Sequence, residues 1–426
     1  MLSRTGYIVP ESANLKTELT VRAVENAVGI RPPSFKVFRS DKGKMCIPRY
    51  YGEQTFGKAK DFRPEPKSSN ILFNGRLRDF QTEAHKSFMA SESGGVLSVY
   101  CGGGKTTIAL AIAASLKLRV LIIVHKEFLA NQWRERINQF CPGATVGLVQ
   151  GDKCELEHDF VIGMIQTMCQ RTHPIGTFDS IGLLIVDEAH HIGAPAFSQF
   201  MFKLCPKYTL GLTATPERKD GLTRLLYWFL GPEFFKLERE DQEHVKVNRV
   251  NFTCDEFRKG VPLNKIGQIS LVEMINVLVD IPTRNDVLLD IINQCKKRKV
   301  LLLTDRRSHC FFLQDSIPGS SLYIGGMSEK DLEISSQSNV IIATFSQAHE
   351  GLDIPSLDTI ILATPHSDVK QAVGRILRGG NKNPPLIYDI VDNWSVLLGM
   401  WKKRLAMYVK SGFDCGVENA PTGCLF

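Results

Sequence analysis

The chain has 426 residues, 43% of them hydrophobic and 23% charged, and its 52 Lys and Arg against 45 Asp and Glu leave a formal charge of +7. That length suits two or three domains, no apolar run reaches the roughly 20 residues of a membrane helix, and the modest basic excess permits a nucleic-acid partner without requiring one. Eleven cysteines, scattered with no Cys-x-x-Cys spacing, argue against a zinc or disulfide frame, and the opening Met1-Leu-Ser-Arg-Thr-Gly6 lacks a signal-peptide core, so a soluble intracellular chain is expected.

Residues 1–72 form a leading segment with Pro32-Pro33, the basic run Lys36 to Lys44, and Cys46-Ile-Pro-Arg-Tyr-Tyr-Gly52. Tyrosines beside Arg and Lys suit base stacking or a backbone groove, and equally a small module capping the next domain. Pro64, Pro66 and Ser68-Ser69-Asn70 mark its end. A helix then opens at Leu77-Arg78-Asp79-Phe80-Gln81, where the Gln81 amide offers one donor and one acceptor, as an adenine edge requires; a surface Gln is the other reading.

The stretch Ser98 to Thr107 organises the rest of the chain. A buried strand over Val96–Tyr100 leads into a helix over Thr107–Leu116, through Gly102, Gly103 and Gly104. Three residues without a Cβ let backbone N–H groups and the helix N-terminus converge on an anion. Lys105 adds a charge for β- and γ-phosphates, Thr106 a hydroxyl for Mg²⁺, and Thr107 continues the cradle. Val99 stands where the strict phosphate-loop pattern has Gly or Ala.

Apolar runs then alternate with helices: Val120–Val124, a helix over Glu127–Phe140, Phe160–Met164 before Gln166-Thr167, and Ile181–Val186 running into Asp187-Glu188-Ala189-His190. This alternation predicts a parallel sheet covered on both faces, with ligands at the carboxyl ends of its strands. Asp187 there can hold Mg²⁺ and Glu188 can polarise an attacking water. His190 or His191 has no metal-site spacing and suits coupling of nucleotide to motion. Leu210–Pro216 is a further strand, whose Thr213 and Thr215 can sense the acidic pair or merely cap the strand end; Arg218-Lys219-Asp220-Gly221 and an apolar helix follow.

Residues 231–282 read as linker with helical insertion. A second α/β unit, residues 283–393, has strands at Val300–Thr304, Val340–Thr344, Thr359–Ala363 and Leu386–Ile390, and no phosphate loop. It carries Gln371-Ala-Val-Gly-Arg-Ile-Leu-Arg378 on a predicted helix, with Arg375 and Arg378 sharing a face. That face is either solvated or reaches the nucleotide of the first unit. Residues 394–426 hold an amphipathic helix, read as a docking helix or a basic contact surface through Trp401-Lys-Lys-Arg404.

Taken together these segments resemble superfamily 2 helicases of the DEAH type. Gly102–Thr107 is similar to motif I, Asp187–His190 to motif II, Thr213-Ala-Thr215 to motif III, Ala343 through Pro355 to motif V, Gln371–Arg378 to motif VI, and Gln166-Thr167 to the Ib region. The nearer resemblance is to the XPB, UvsW and poxvirus transcript-release group, which shares the missing leading Gly, and the leading segment is similar to helicases of large DNA viruses. The resemblance implies two tandem RecA-like parallel-sheet domains, the first over residues 73–230, with a small N-terminal accessory domain and a C-terminal helix. It implies an ATP- and Mg²⁺-dependent motor: Lys105, Asp187, Glu188, Gln371, Arg375 and Arg378 catalytic; Gln81 and Gly102–Thr107 on the nucleotide; Thr106 and Asp187 on the metal. His190, Thr213 and Thr215 would couple hydrolysis to motion, and Gln166, Thr167 and Thr344 would position the nucleic-acid backbone, with His125 and Lys126 less firmly placed. The expected partner is DNA, with RNA open, alongside transcription or recombination proteins, for a monomer in host cytoplasm or nucleus or packaged in the virion. Where XPB-like proteins have Arg-Glu-Asp this chain has Arg218-Lys219-Asp220, which puts strand separation there in question. The competing readings are a non-hydrolysing nucleic-acid clamp and a small-molecule phosphotransferase, the second opposed by the motif order.

Overall fold

The computed structural model describes residues 1–24, 32–100, 102–191, 194–214, 216–218, 220–238, 245–265, 267–350, 354, 356–377 and 383–416. Thr215, Lys219, Arg378 and most of the motif V stretch after Glu350 lie outside the described residues, as does the side chain of His191. The chain divides into two compact units, Met1–Glu238 and Arg239–Phe426.

The first unit is built on an eight-stranded sheet. Its order is Lys153–Cys154, Val146–Gln150, Phe160–Met164, Arg119–Val124, Ile181–Val186, Tyr208–Thr213, Gly94–Val99 and Glu233–Leu237. Every neighbouring pair is parallel except the first. The continuous apolar runs are explained by burial on both faces. In Arg119–Val124, Val120, Ile122 and Val124 enter the core that holds Phe88, Ile108 and Trp133. Leu121 and Ile123 enter the opposite core with Phe197, Leu225 and Phe229. With side chains alternating along a strand, both sets must be apolar. The helix Lys105–Leu116 is buried from Ile108 to Ala113, which is why its sequence is apolar all round.

The leading segment packs onto this unit as an integral part of it. Leu2–Ser3, Gly6–Pro10, Lys44–Ile47 and Arg39–Asp41 form a small antiparallel sheet in that order, with the helix Arg49–Phe56 beside it. Arg49 donates to the Pro206 and Lys207 carbonyls at 3.2 and 3.0 Å, and Arg39 to those of Phe202 and Gln199 at 3.1 and 3.2 Å. The tyrosines read as base-stacking candidates face inward instead. Tyr50 O–H lies 2.9 Å from the Ser93 carbonyl and 2.7 Å from Thr209 Oγ1, and buried Tyr51 meets Trp228 edge-on at 5.0 Å. A phenol that finds its partner inside the protein keeps its apolar ring there as well.

The second unit has six strands, all parallel: Lys246–Phe252, Leu386–Asp392, Thr359–Leu362, Val300–Thr304, Val340–Thr344 and Ser320–Tyr323. The 231–282 stretch therefore contributes an edge strand to each sheet, Glu233–Leu237 to the first and Lys246–Phe252 to the second, before the helix Leu271–Val279. The terminal helix Val396–Lys410 docks through a buried fork. Arg404 donates to both oxygens of Asp389 at 2.7 Å, and Tyr408 O–H adds a third bond at 2.9 Å. Lys402 and Lys403 are exposed while Trp401 and Arg404 turn inward, as a docking helix requires. No helix among the described residues is long and apolar enough to cross a membrane.

Candidate nucleotide site

The carboxyl ends of adjacent strands of the first sheet bring the predicted residues together. Gly94–Val99 runs into the glycine loop, Ile181–Val186 into Asp187, and Tyr208–Thr213 ends on Thr213 between them. Gly102 and Gly104 take φ of 82° and 80°, where a Cβ is strained. At Gly103 an added Cβ would lie 2.3 Å from Val99 Cγ1, so the loop lies hard on the strand that feeds it. Gly104 caps the helix Lys105–Leu116, whose first turn presents N–H groups together with the half-buried Thr106 and Thr107. Lys105 Nζ lies 3.3 Å from the Val99 carbonyl and 3.7 Å from a Glu188 carboxylate oxygen.

Asp187 is buried, and its carboxylate is held from two sides. The Trp133 indole N–H donates to Oδ2 at 2.8 Å and the Glu188 backbone N–H to Oδ1 at 3.0 Å. Burial and the adjacent Glu188 carboxylate push this carboxyl up to about 6, opposed by the indole bond and Lys105. Glu188 itself has φ of 43°, a left-handed turn that a non-glycine residue adopts at a cost of about 1 kcal/mol or more. That turn sets its carboxylate toward Lys105 and 3.5 Å from His190 Nδ1. The same His190 nitrogen lies 2.8 Å from Thr213 Oγ1, so two of the three residues expected to couple hydrolysis to motion are in direct contact.

Gln81 sits differently from the expectation of an open adenine edge. It is 3% exposed; its Oε1 accepts the Arg78 backbone N–H at 2.9 Å, and its Nε2 donates to the Gly103 carbonyl at 3.0 Å. Arg78 donates to the same carbonyl at 2.7 Å. In this structure the amide fixes the start of its own helix and the shape of the glycine loop. Gln166 Nε2 donates to the His125 carbonyl at 3.0 Å, and Thr167 Oγ1 accepts the Gly151 N–H at 3.1 Å, both at the carboxyl edge of the first sheet. In the second unit Thr344 Oγ1 lies 3.2 Å from Ser346 Oγ, and Arg375 Nε donates to the Ala348 carbonyl at 3.1 Å. Gln371 is in the short helix Lys370–Val373, and turns follow over residues 374–377, where the expected helix continues.

The residues present suit a nucleoside triphosphate with Mg²⁺. The glycine loop is formed, the helix N-terminus and Lys105 supply the positive end, and Asp187 and Thr106 supply hard oxygen donors. No group of three or more His, Cys, Asp or Glu gathers among the described residues, and Mg²⁺ needs none, since it keeps several waters and binds through one or two carboxylates. Trp133 and Arg78 were missed from sequence: a Trp on the apolar face of the helix Glu127–Phe140 reads as core, and an Arg before a helix as solvated.

The family model described as "Type III restriction enzyme, res subunit" matches residues 74–218, the span that holds this site. "Putative ATP-dependent RNA helicase L396" of Acanthamoeba polyphaga mimivirus is 30% identical over 92% of this chain and 81% of its own length. "Putative helicase 161L" of Invertebrate iridescent virus 6 is 27% identical over 84% of this chain and 87% of its own. Among solved structures, "The crystal structure of T4 UvsW" aligns over 88% of this chain and 90% of that one at 17% identity and a TM-score of 0.36, too loose to add to what the sheets show directly. Similarity of this extent across both units, on two parallel sheets with a formed phosphate loop, means that the chain belongs to the superfamily 2 helicases of large DNA viruses.

Proposed function

We propose that the chain is a nucleic-acid-dependent ATPase that translocates on DNA in viral transcription, recombination or repair. The observation that supports this reading best is the meeting of Lys105, Asp187 and Glu188 beside a formed glycine loop. In this mechanism Lys105 and the helix N-terminus neutralise phosphate charge, and Asp187 and Thr106 hold Mg²⁺, which when bound withdraws charge from the phosphoryl oxygens. Glu188 orients the attacking water through the carboxylate that its left-handed turn aims at the loop. His190 and Thr213 respond to that carboxylate through the contacts described above. Gln371, Arg375 and Arg378 are proposed to act on the same chemistry, and Gln166, Thr167 and Thr344 on the sugar-phosphate backbone.

A second reading has a specific observation in its favour: the mimivirus relative is described as an RNA helicase. One experiment separates the two and tests the chemistry. ATP hydrolysis is measured with no polymer, single-stranded DNA, duplex DNA and RNA, for the native chain and Glu188→Gln. Stimulation by DNA, falling as salt rises, supports the proposal. Stimulation by RNA alone moves the track to RNA. Glu188→Gln should still bind ATP while hydrolysis falls by about 10²-fold or more; native turnover in that variant would remove Glu188 from the reaction, and stimulation by no polymer would remove the motor.

A further inference from the structure

The leading segment reaches the acidic motif through a loop to which the proposed chemistry assigns nothing. Arg218, whose side chain is 6% exposed, forks onto Asp220, with Nε to Oδ1 at 3.0 Å and a second guanidinium nitrogen to Oδ2 at 2.6 Å. Its remaining terminal nitrogen donates to the His190 carbonyl at 3.1 Å. The Arg218 backbone N–H is fixed by Thr223 Oγ1 at 2.8 Å, and the Leu222 N–H by Asp220 Oδ1 at 3.0 Å. On its other side Asp220 is tied to the leading segment, since the Val24 N–H donates to the Asp220 carbonyl at 3.0 Å. Gly221, at φ of 72°, passes so close that an added Cβ would lie 2.7 Å from Val24 Cγ1.

Two features make this more than a surface contact. Val21 and Val37 of the leading segment are buried in the same core as Leu222 and Leu225, so the segment is anchored three residues before the Val24 tie. An Arg fork with both carboxylate oxygens engaged is geometrically rigid, and here its third arm lands on the backbone of the residue whose ring lies between Thr213 and Glu188. An unbroken series of contacts thus runs from Val24 through Asp220, Arg218 and His190 to the Glu188 carboxylate.

The geometry points to the Arg218–Asp220 fork as a positioning device through which the leading segment holds His190, and with it Glu188, in the arrangement that hydrolysis needs. Arg218 and Asp220 are positioning residues: neither lies on the reacting atoms, and they act through His190. The proposal rests on the hydrolytic reading given above, and it deepens that reading by making residues 20–24 part of the ATPase.

The test uses the full chain and three variants. Asp220→Asn keeps the size but weakens the fork, Asp220→Glu restores a carboxylate, and Val24→Pro removes the N–H that ties the leading segment together with the side chain beside Gly221, at a position that is 55% exposed. Displacement of a catalytic group by about 1 Å can cost up to about 10²-fold in rate. Asp220→Asn and Val24→Pro should therefore lower kcat for stimulated hydrolysis by about tenfold or more, with KM for ATP within about twofold of native, and Asp220→Glu should recover part of the loss. Amide hydrogen exchange over residues 186–191 should quicken in Asp220→Asn and Val24→Pro, a readout independent of turnover. Native kcat in both variants would overturn the proposal. So would a kcat loss in Asp220→Asn that Asp220→Glu fails to relieve and that merely follows a lower melting temperature. If the native chain hydrolyses no ATP, the hydrolytic reading is what fails, and the exchange measurement alone decides whether the brace exists.

Discussion

Trp133→Phe isolates the part of the site that sequence did not reveal. Trp133 is 1% exposed, and its indole N–H gives Asp187 Oδ2 a bond of 2.8 Å. Phenylalanine keeps most of the ring volume and deletes that donor, leaving the Glu188 N–H at 3.0 Å on the other oxygen. A hydrogen bond to a charged group contributes about 1.5–3 kcal/mol net. The smaller ring leaves a small void, adding about 1 kcal/mol at the usual cost per unit of cavity volume. The sum is a loss of about 2.5–4 kcal/mol, a fall in melting temperature of about 5–15 °C for a unit of this size. The second effect is on function. A carboxylate with one anchor removed rotates, and the loss of such an outer partner typically weakens metal affinity by about 10–100-fold. Hydrolysis titrated with Mg²⁺ at saturating nucleic acid should therefore need about tenfold more metal for half its maximal rate, with the maximum largely regained at high Mg²⁺. A melting shift with an unchanged Mg²⁺ requirement would make Trp133 a core residue and nothing more, and an unchanged melting temperature would refute the hydrogen bond itself.

The strands were legible because burial on both faces leaves a continuous apolar run, and turn residues bound it. Val120–Val124 falls within a residue of its observed limits, and Ile181–Val186 and Val340–Thr344 fall on theirs. The site was legible for the same reason, since Asp187 follows directly on such a run and chemistry at strand ends needs no long-range information. The edge strand Lys246–Phe252 was not, because its register with Leu386–Asp392 is set by a partner far along the chain. Its Val245 to Val250 alternation was visible but ambiguous. The bonds Gln81 makes were not legible, because they depend on the Gly103 carbonyl, which only the folded loop brings within 3.0 Å. The helix expected over Gln371–Arg378 meets Gly374 as the C-terminal cap of Lys370–Val373, where the entropic cost of glycine favours turns.

Two predictions concern the second unit. Arg375→Ala, if the residue acts on phosphoryl transfer as proposed, should keep ATP and nucleic-acid binding while stimulated hydrolysis falls by about 10³-fold or more; near-normal turnover beside unchanged affinity would take Arg375 out of the reaction. The other concerns His309, which is 2% exposed and held as a neutral ring. Asn285 donates through Nδ2 to the Val279 carbonyl at 2.9 Å, so its Oδ1, 3.0 Å from His309 Nε2, must accept and Nε2 must carry the proton. Nδ1 then accepts from Thr304 Oγ1 at 2.9 Å, while that hydroxyl oxygen takes the Arg306 N–H at 3.4 Å. Burial, with the Arg284 guanidinium adding repulsion, pushes the imidazole down to about 3. Its unfolded value is about 6.5, so between these values the unfolded chain binds the extra proton and the folded chain does not. The stability tied to a neutral ring is thus fully present above about pH 6.5 and is lost as pH falls toward 3, at up to about 1.4 kcal/mol per pH unit. Urea unfolding of the native chain and His309→Gln at pH 7 and pH 5 isolates this contribution, because the carboxylates titrate equally in both. The native chain should lose about 2 kcal/mol more than the variant across that interval, and equal losses would mean that His309 is not held neutral by this network.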